Sequence, residues 1–239
     1  MNSLGLLVYG DTSRFADRIA KWADDMKPSR LVVVNNHAGM LAVGEMAGDN
    51  THFEFSGYRV LCASLPGEGP FVIANDTLFR NHWTGGWTQL LRIVMRRIDC
   101  AQDVVYGDIR RDGNSIPERP DPFLASWIFV LPNRAVLLRF GQILDDLCRS
   151  ELPEPSPAYA AFLKNWTATG KRFRGWHGKR DPASVERKIR AVRLEHALSA
   201  ALPDAGLPFV SLGTFSPVLY RIIRIADRLQ TRISALLPF

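Results

Sequence analysis

Apolar residues follow two different spacings near the start of the chain. The run "LGLLVYGD" is continuous, which predicts a short buried strand. In the next segment, "TSRFADRIAKWADDM", apolar residues recur at helical intervals, and Thr12 or Ser13 could cap the helix that this spacing predicts. "SRLVVVNNHAG" then predicts a second strand, rich in β-branched residues. A strand, a helix and a strand in this order form a βαβ unit, which implies a parallel sheet covered by helices.

The same alternation continues through residues 1–150. A helix after a loop is predicted in "FEFSGYRVLCASLP", and later helices in "WTQLLRIVMRRI" and "NRAVLLRFGQILDDLC". Strands are predicted in "GPFVIAND", "DVVYGDI" and "ASWIFVL". After Pro153, Pro155 and Pro157 the chain becomes basic and mainly helical. We therefore predict an α/β fold, with a Rossmann-like, mostly parallel sheet flanked by helices at 1–150 and a basic helical C-terminal appendage at 151–239.

Charge adds a prediction about partners. The chain carries a net charge of +6 with a pI near 9.5, which predicts an anionic partner. Many basic residues lie between Lys164 and Arg193, where Trp166, Phe173 and Trp176 are interleaved with them. Basic residues mixed with aromatic ones are typical of a surface for single-stranded nucleic acid, and a solvated charged face explains them equally.

Three features predict a cytoplasmic protein. The N-terminus lacks the basic and apolar regions of a secretory signal. No apolar segment approaches the roughly 20 residues that span a bilayer. The cysteines Cys62, Cys100 and Cys148 have no metal-ligand or redox spacing, and their odd number argues against a disulfide framework. We therefore expect reduced thiols.

Polar side chains follow each of the first three predicted strands: Tyr9 and Asp11, Asn35 and Asn36, and Asn75 and Asp76. Because the carboxyl ends of parallel strands meet at one edge of a sheet, we expect these residues to line a single crevice, with Asp76 exposed at its edge. Amide and carboxylate groups there can bind a base or a ribose, and Asp76 can hold a Mg²⁺ or Mn²⁺ ion that neutralises a diphosphate. Asn75 and Asp76 taken alone fit an ordinary turn. The strands carry no Gly-x-Gly-x-x-Gly or Walker pattern, which argues against a dinucleotide dehydrogenase or a P-loop enzyme.

Two further segments contain candidate residues. Glu54 and Ser56 lie before the helix predicted in "FEFSGYRVL", where Ser56 either caps the helix or binds an anion together with the helix amides. Glu195, in "RLEHALSAALPDAG", is either a solvent-facing residue of an amphipathic helix or a general base at the start of that helix. Each segment taken alone leaves both of its interpretations open.

Four segments together resemble a known family. In chain order, "FEFSGYRVL", "GPFVIANDTLF", "ASWIFVLPNRAV" and "EHALSAALPDAG" are similar to motifs of the bacterial polysaccharide glycosyltransferases of the rhamnan-synthesis type, which have the GT-A fold. The resemblance covers residues 50–206 and depends on the order of these motifs. Two positions depart from the related family-two pattern. Asp76 is a single carboxylate where that pattern has two, and His196 stands in place of an aspartate.

The resemblance implies an inverting transferase that moves a sugar from a nucleoside-diphosphate donor to a cell-surface polysaccharide or a lipid-linked acceptor. It implies that Asp76, with a Mg²⁺ or Mn²⁺ ion, and Glu195, as the base, are catalytic, and that Ser126 and Trp127 line the acceptor side. A nucleic-acid-binding module and a glycosyltransferase fold that only binds are the alternatives, although the strand-end residues argue against nucleic acid as the partner. The α/β core at 1–150 is expected to bind the donor through Tyr9, Asp11, Asn35, Asn36, Glu54, Ser56, Asn75 and Arg80.

The last segment, "SPVLYRIIRIADRLQTRISALLPF", predicts an amphipathic and basic helix. One interpretation packs its apolar stripe on the sheet. The other places the helix on an anionic membrane surface, which suits a cytoplasmic enzyme peripheral to the inner membrane face. The predicted stripe consists of Val218, Leu219, Ile222, Ile225, Ala226, Leu229 and Ile233, whereas the basic residues that lie mostly off it are Arg221, Arg224, Arg228 and Arg232.

Overall fold

The computed structural model describes residues 2–42, 44–111, 113, 116, 118–168 and 181–234. Its strands form one sheet: β1 (Ser3–Val8), β2 (Arg30–Asn35), β3 (Met46–Ala47), β4 (Phe71–Asn75), β5 (Val105–Arg110), β6 (Phe123–Leu131) and β7 (Phe209–Ser211). Across the sheet the order is β3-β2-β1-β4-β6-β5-β7. β6 runs antiparallel to both of its neighbours, and the other pairs of strands are parallel. The predicted α/β class with a mostly parallel sheet is therefore confirmed.

Helices cover both faces of this sheet. The α-helices in the described part of the chain are α1 (Ala16–Met26), α2 (Glu54–Ser64), α3 (Thr77–Asn81), α4 (Thr84–Arg97), α5 (Arg134–Arg149), α6 (Pro157–Ala168), α7 (Pro182–Asp204) and α8 (Pro217–Ser234). α2, α5 and α7 pack on one face, and α1, α4 and α8 on the other. Leu7 and Ile73 enter the first layer, whereas Leu6 and Val72 enter the second. Because both faces are covered, the central strands are apolar at nearly every position, which explains the continuous runs in the sequence.

The described residues after position 150 are mainly helical, as predicted, but they also complete the sheet. Phe209–Ser211 forms β7, which pairs in parallel with β5. Leu194 and Leu198 of α7 lie in the same core cluster as residues of the central strands. A strand of three residues is too short to show a hydrophobic period, so spacing could not predict it. The division of the chain near residue 150 stays a prediction.

The start of α1 differs from the expectation. Thr12 and Ser13 make no side-chain cap, because a 3₁₀ turn, Ser13–Phe15, precedes the helix and Phe15 occupies its N-cap position. The Ser13 backbone N–H instead donates to Asp11 Oδ1 at 2.9 Å. The polar residues before the helix therefore close a turn after β1.

The pairing of β5 with β6 contains a bulge. Its register shifts between Gly107 and Ile109, so that the β6 segment 125–128 lies opposite Asp108 alone. A bulge releases backbone groups from the ladder of hydrogen bonds and redirects side chains. Ser126 consequently turns toward α2 and α7, while Trp127 packs in the layer of α4 and α8.

Asp108, opposite this bulge, joins α8 to the sheet. Its side chain is fully buried and accepts hydrogen bonds from Trp127 Nε1 at 3.1 Å and from the Tyr220 hydroxyl at 2.6 Å. Arg110 Nε at 2.7 Å and Arg224 Nη1 at 3.0 Å supply the opposing charge. Such a network is strong only while each buried group keeps its partners.

A second buried carboxylate, Asp227, holds α8 against the start of α4. It accepts hydrogen bonds from the Trp83 backbone N–H at 2.8 Å and from Trp87 Nε1 at 3.0 Å, and His82 Nδ1 lies 2.7 Å from it. Burial by itself raises the pKa of Asp227, but the contacts with His82 and the two tryptophans lower the pKa below its usual value. The His82 ring also stacks on Trp127, with 3.9 Å between the ring centroids.

Replacing Asp108 with alanine is expected to lower the free energy of unfolding by about 3 kcal/mol. The two arginines, the Trp127 indole and the Tyr220 hydroxyl would each lose a buried acceptor. Urea denaturation measures this change. Asp103→Ala is the matched control. That carboxylate is 57% exposed in its ion pair with Arg139, so we expect its loss to cost less than about 0.5 kcal/mol. Equal effects of the two substitutions would contradict a stabilising role for the buried network.

Candidate functional site

Three neighbouring parallel strands end at one edge of the sheet. Val8 pairs with Asn35 and Leu7 with Asn75, so the residues that follow β1, β2 and β4 share this edge, as predicted. β6 runs in the opposite direction beside β4, which brings Ser126 to the same edge. The predicted side chains that are gathered there are Tyr9, Asp11, Asn35, Asn36, Glu54, Asn75, Asp76, Arg80, Ser126 and Glu195.

Ser126 connects the two glutamates. Its backbone N–H, freed by the bulge, donates to Glu195 Oε1 at 2.6 Å, and its hydroxyl donates to Glu54 Oε1 at 3.1 Å. The Ser126 carbonyl accepts from the Tyr58 hydroxyl, which in turn accepts from Asn75 Nδ2 at 2.9 Å. Burial, with Glu54 nearby, raises the pKa of Tyr58, so this hydroxyl stays protonated and neutral. Two carboxylates are thereby held around one residue.

Lys188 adds a positive charge to this arrangement. Its ammonium nitrogen lies 3.5 Å from Glu54 Oε1 in a largely buried ion pair. The same nitrogen lies 5.6 Å from the centroid of the Phe53 ring and 5.9 Å from that of Trp166. Lys188 precedes Glu195 by two turns of α7, so both side chains project from the same face of the helix.

Glu195 lies in the middle of α7, not at its start. The helix begins at Pro182 and is capped by Asp181, so the predicted position of Glu195 at a helix start is wrong. The alternative of a freely solvated glutamate is also wrong, because its carboxylate reaches into the bulge. Burial raises the pKa of Glu195, although the Ser126 N–H and Lys188 oppose the rise. A raised pKa brings a carboxylate closer to the range in which a general base works.

Asp76 is buried, with 6% of its surface exposed, and not open at the crevice edge as the sequence predicted. Its Oδ2 atom lies 2.7 Å from Arg80 Nη2, and the Tyr9 backbone N–H also donates to the carboxylate. Burial raises the pKa of Asp76, with Arg80 opposing the rise. Arg80 is 46% exposed and lies 5.1 Å above the Phe15 ring, so its guanidinium presents positive charge to solvent at this edge.

The donor set around Asp76 does not fit a protein-held Mg²⁺ or Mn²⁺ ion. Such ions prefer several oxygen ligands, whereas this carboxylate already pairs with a guanidinium. Among the residues that the structure describes, no three His, Cys, Asp or Glu side chains converge on a point. Arg80 and Lys188 both bring positive charge to this edge.

The two asparagines after β2 hold the loops at this edge of the sheet. Asn35 Oδ1 accepts from the Gly10 backbone N–H at 3.1 Å, and its Nδ2 donates to the Gly10 carbonyl at 2.9 Å, which ties the loops after β1 and β2 together. Asn36 Nδ2 donates to the Phe53 carbonyl at 2.6 Å and lies 3.3 Å from the Tyr9 hydroxyl. Both side chains thus fix the backbone around the site.

Asn75 closes a turn and also joins the hydrogen-bond network around Ser126. Its Oδ1 accepts from the Thr77 backbone N–H at 3.0 Å, which is ordinary turn chemistry. Its Nδ2 reaches the Tyr58 hydroxyl and so joins the network around Ser126. Asp11 lies at the exposed rim of the same edge.

Ser56 does not cap α2. Phe53 occupies the N-cap position, and the Ser56 hydroxyl donates to the Phe53 carbonyl at 3.0 Å. Ser56 also lines a groove of about 420 Å³ between α2 and α5, where Arg59 pairs with Asp145 at 2.5 Å. The residues of α2 that contact Ser126 are Glu54 and Tyr58.

Trp127 and His196 lie apart from the cluster around Ser126. The Trp127 ring turns to the opposite layer, so the expectation that it lines the acceptor side is wrong. His196 is buried, with Nδ1 2.6 Å from the Tyr159 hydroxyl and its ring packed on Phe123. Burial lowers the pKa of His196 to about 3, so it is a neutral core residue at physiological pH.

The sequence patterns assigned no role to Tyr58, and they indicated Lys188 only as one of the basic residues between Lys164 and Arg193. Tyr58 follows Glu54 by four positions, and this spacing places both side chains on one face of a helix. The spacing of Glu54 and Tyr58 was therefore visible in the sequence, but the bulge that brings Ser126 to these two side chains was not. Much of the predicted basic stretch, including Lys171, Arg172, Arg174, Lys179 and Arg180, lies outside the described residues.

None of the helices in the described part of the chain combines the length and apolar character that crossing a membrane requires. Comparison of the chain with protein-family models, curated proteins and solved structures found no match.

Proposed function

We propose that this protein is a glycosyltransferase with a GT-A-like fold, which moves a sugar from a nucleoside diphosphate to a hydroxyl of a polysaccharide or lipid-linked acceptor. One observation carries the proposal: Glu195 and Glu54 meet at Ser126 on the sheet edge where Asp76 positions the partly exposed Arg80. Open α/β sheets bind ligands at this edge. The resemblance of residues 50–206 to polysaccharide glycosyltransferases supplies the reaction class.

In the proposed reaction Glu195 accepts the proton of the acceptor hydroxyl. The hydroxyl oxygen forms a bond to the anomeric carbon while the bond from that carbon to the diphosphate oxygen breaks, which inverts the configuration. The diphosphate leaves with the bonding electrons. Arg80 and Lys188 lie at the edge as fixed positive charges, and such groups stabilise a leaving anion because they need no reorganisation during the reaction.

A binding screen separates this proposal from a nucleic-acid-binding module. UDP, GDP and dTDP are tested for a rise in the melting temperature, with a short single-stranded RNA at physiological salt as the comparison. We expect one nucleoside diphosphate to raise the melting temperature and the RNA to leave it unchanged. Protection by RNA alone would favour the nucleic-acid-binding module. Release of the nucleotide from the matching sugar donor then distinguishes an active enzyme from a fold that only binds.

A further inference from the structure

α8 presents apolar side chains to solvent. Val218 is 73% exposed, Ile222 49%, Ile225 50% and Leu229 53%. Their spacing places them along one side of the helix, so the interpretation that the stripe packs on the sheet is wrong for these four residues. The opposite side is the one that packs, through Ile223 and the buried polar contacts of Tyr220, Arg224 and Asp227 with α4 and β5.

Positive charge borders this exposed stripe. Arg221 and Arg228 are exposed and lie along one flank of the stripe. Neither forms an ion pair with a residue that the structure describes, whereas Arg59, Arg80 and Arg139 each pair with an aspartate. The one acidic residue within 217–234 is Asp227, which is buried on the other side of the helix. The exposed side of α8 is thus apolar and carries positive charge that nothing on the helix neutralises.

We infer that the exposed side of α8 docks on the surface of an anionic lipid bilayer. The four aliphatic side chains insert at the boundary between the lipid headgroups and the acyl chains. The arginines beside them contact the lipid phosphates. A second copy of the chain fits less well, since this side offers no acidic residue to the partner's arginines. Four side chains about half exposed also fall short of the roughly 800 Å² that each partner buries in a stable protein interface.

The anchoring of α8 determines what docking does to the rest of the molecule. Asp108 and Asp227 fix the helix to the sheet from its buried side. Trp127 belongs to both anchors, because it donates to Asp108 and stacks on His82, and it is the neighbour of Ser126. A bilayer under α8 therefore holds the candidate site in a fixed orientation. The inference does not depend on the proposed transferase activity.

Sedimentation of the full chain with vesicles tests the inference. We expect binding to vesicles of phosphatidylcholine with 30% phosphatidylglycerol, weak binding to pure phosphatidylcholine, and release as NaCl is raised. The double substitution Ile222→Ser/Ile225→Ser should weaken binding about tenfold or more, because it removes inserted aliphatic groups. Arg221→Gln/Arg228→Gln should weaken it about tenfold on the anionic vesicles alone.

Two matched variants on the opposite face of the sheet serve as controls. Leu138→Ser replaces a side chain of α5 that is 58% exposed, and Arg149→Gln replaces an arginine that is 71% exposed. Both should bind vesicles like the unchanged chain. All of the substituted residues are exposed, so each variant should keep its melting temperature. Equal binding to neutral and anionic vesicles, or unchanged binding by both α8 variants, would overturn the inference. A dimer would replace the bilayer as the partner of α8 if two results were obtained together. The original chain would self-associate without binding vesicles, and the Ile222→Ser/Ile225→Ser variant would no longer self-associate.

Discussion

Replacing Asp76 with asparagine is expected to lower the rate of sugar transfer at least about 100-fold while the chain remains folded. Asparagine keeps an oxygen that can accept from the Tyr9 N–H, but it no longer neutralises and orients the Arg80 guanidinium. Fixed charges at a leaving group contribute about 10²–10³ in rate when their geometry is exact. The measurement compares kcat and the dissociation constant of the nucleoside diphosphate. We expect kcat to fall and the dissociation constant to change less than about threefold.

The chain contains a closely matched control for this experiment. Asp145 and Arg149 form an ion pair with the same spacing of four residues and the same 2.7 Å separation as Asp76 and Arg80, but on α5. Asp145→Asn should leave transfer unchanged. Wild-type turnover by Asp76→Asn would show that the turn at Asn75 and Asp76 has no part in catalysis. The predicted Mg²⁺ or Mn²⁺ ion at Asp76 is tested separately, by measuring activity with and without EDTA.

Replacing Glu195 with glutamine is expected to lower kcat by about 10³-fold, within the usual range for the loss of a general base. Glutamine can still accept the hydrogen bond from the Ser126 N–H, so the bulge in β6 should stay intact. Binding of the nucleoside diphosphate should therefore change little. Equal losses of rate and affinity would instead indicate that Glu195 only holds the bulge in place. Glu186→Gln, on the same helix and outside the site, is expected to behave like the original chain.

The pH dependence of the transfer rate also tests whether Glu195 is the general base. Glu195 acts as a base only when ionised, and burial raises its pKa above that of a free glutamate. Transfer should then decline as the pH falls through this raised pKa, at a higher pH than a solvent-exposed glutamate would give. The residual activity of Glu195→Gln should lack this acidic limb. A profile that is identical in both proteins would exclude Glu195 as the base.

The sequence by itself determined the layered α/β fold and the sheet edge at which the candidate site lies. Both follow from local information, since a strand buried on two faces is apolar throughout and βαβ units make neighbouring strands parallel. The ends of β1, β2 and β4 had to meet for this reason, and with them Asn35 and Asn75.

Only the tertiary structure decided how the candidate site is built and which side of α8 is covered. Ser126 contacts Glu195 and Glu54 across 69 and 72 positions of the chain, and the bulge that permits these contacts leaves no trace in the spacing of apolar residues. The hydrophobic pattern of α8 identified an apolar stripe, but the opposite side is buried through Asp227 and the partners of Asp108. Hydrogen bonds between distant polar residues can outweigh the burial of a few aliphatic side chains, and a one-dimensional hydrophobic pattern does not contain them.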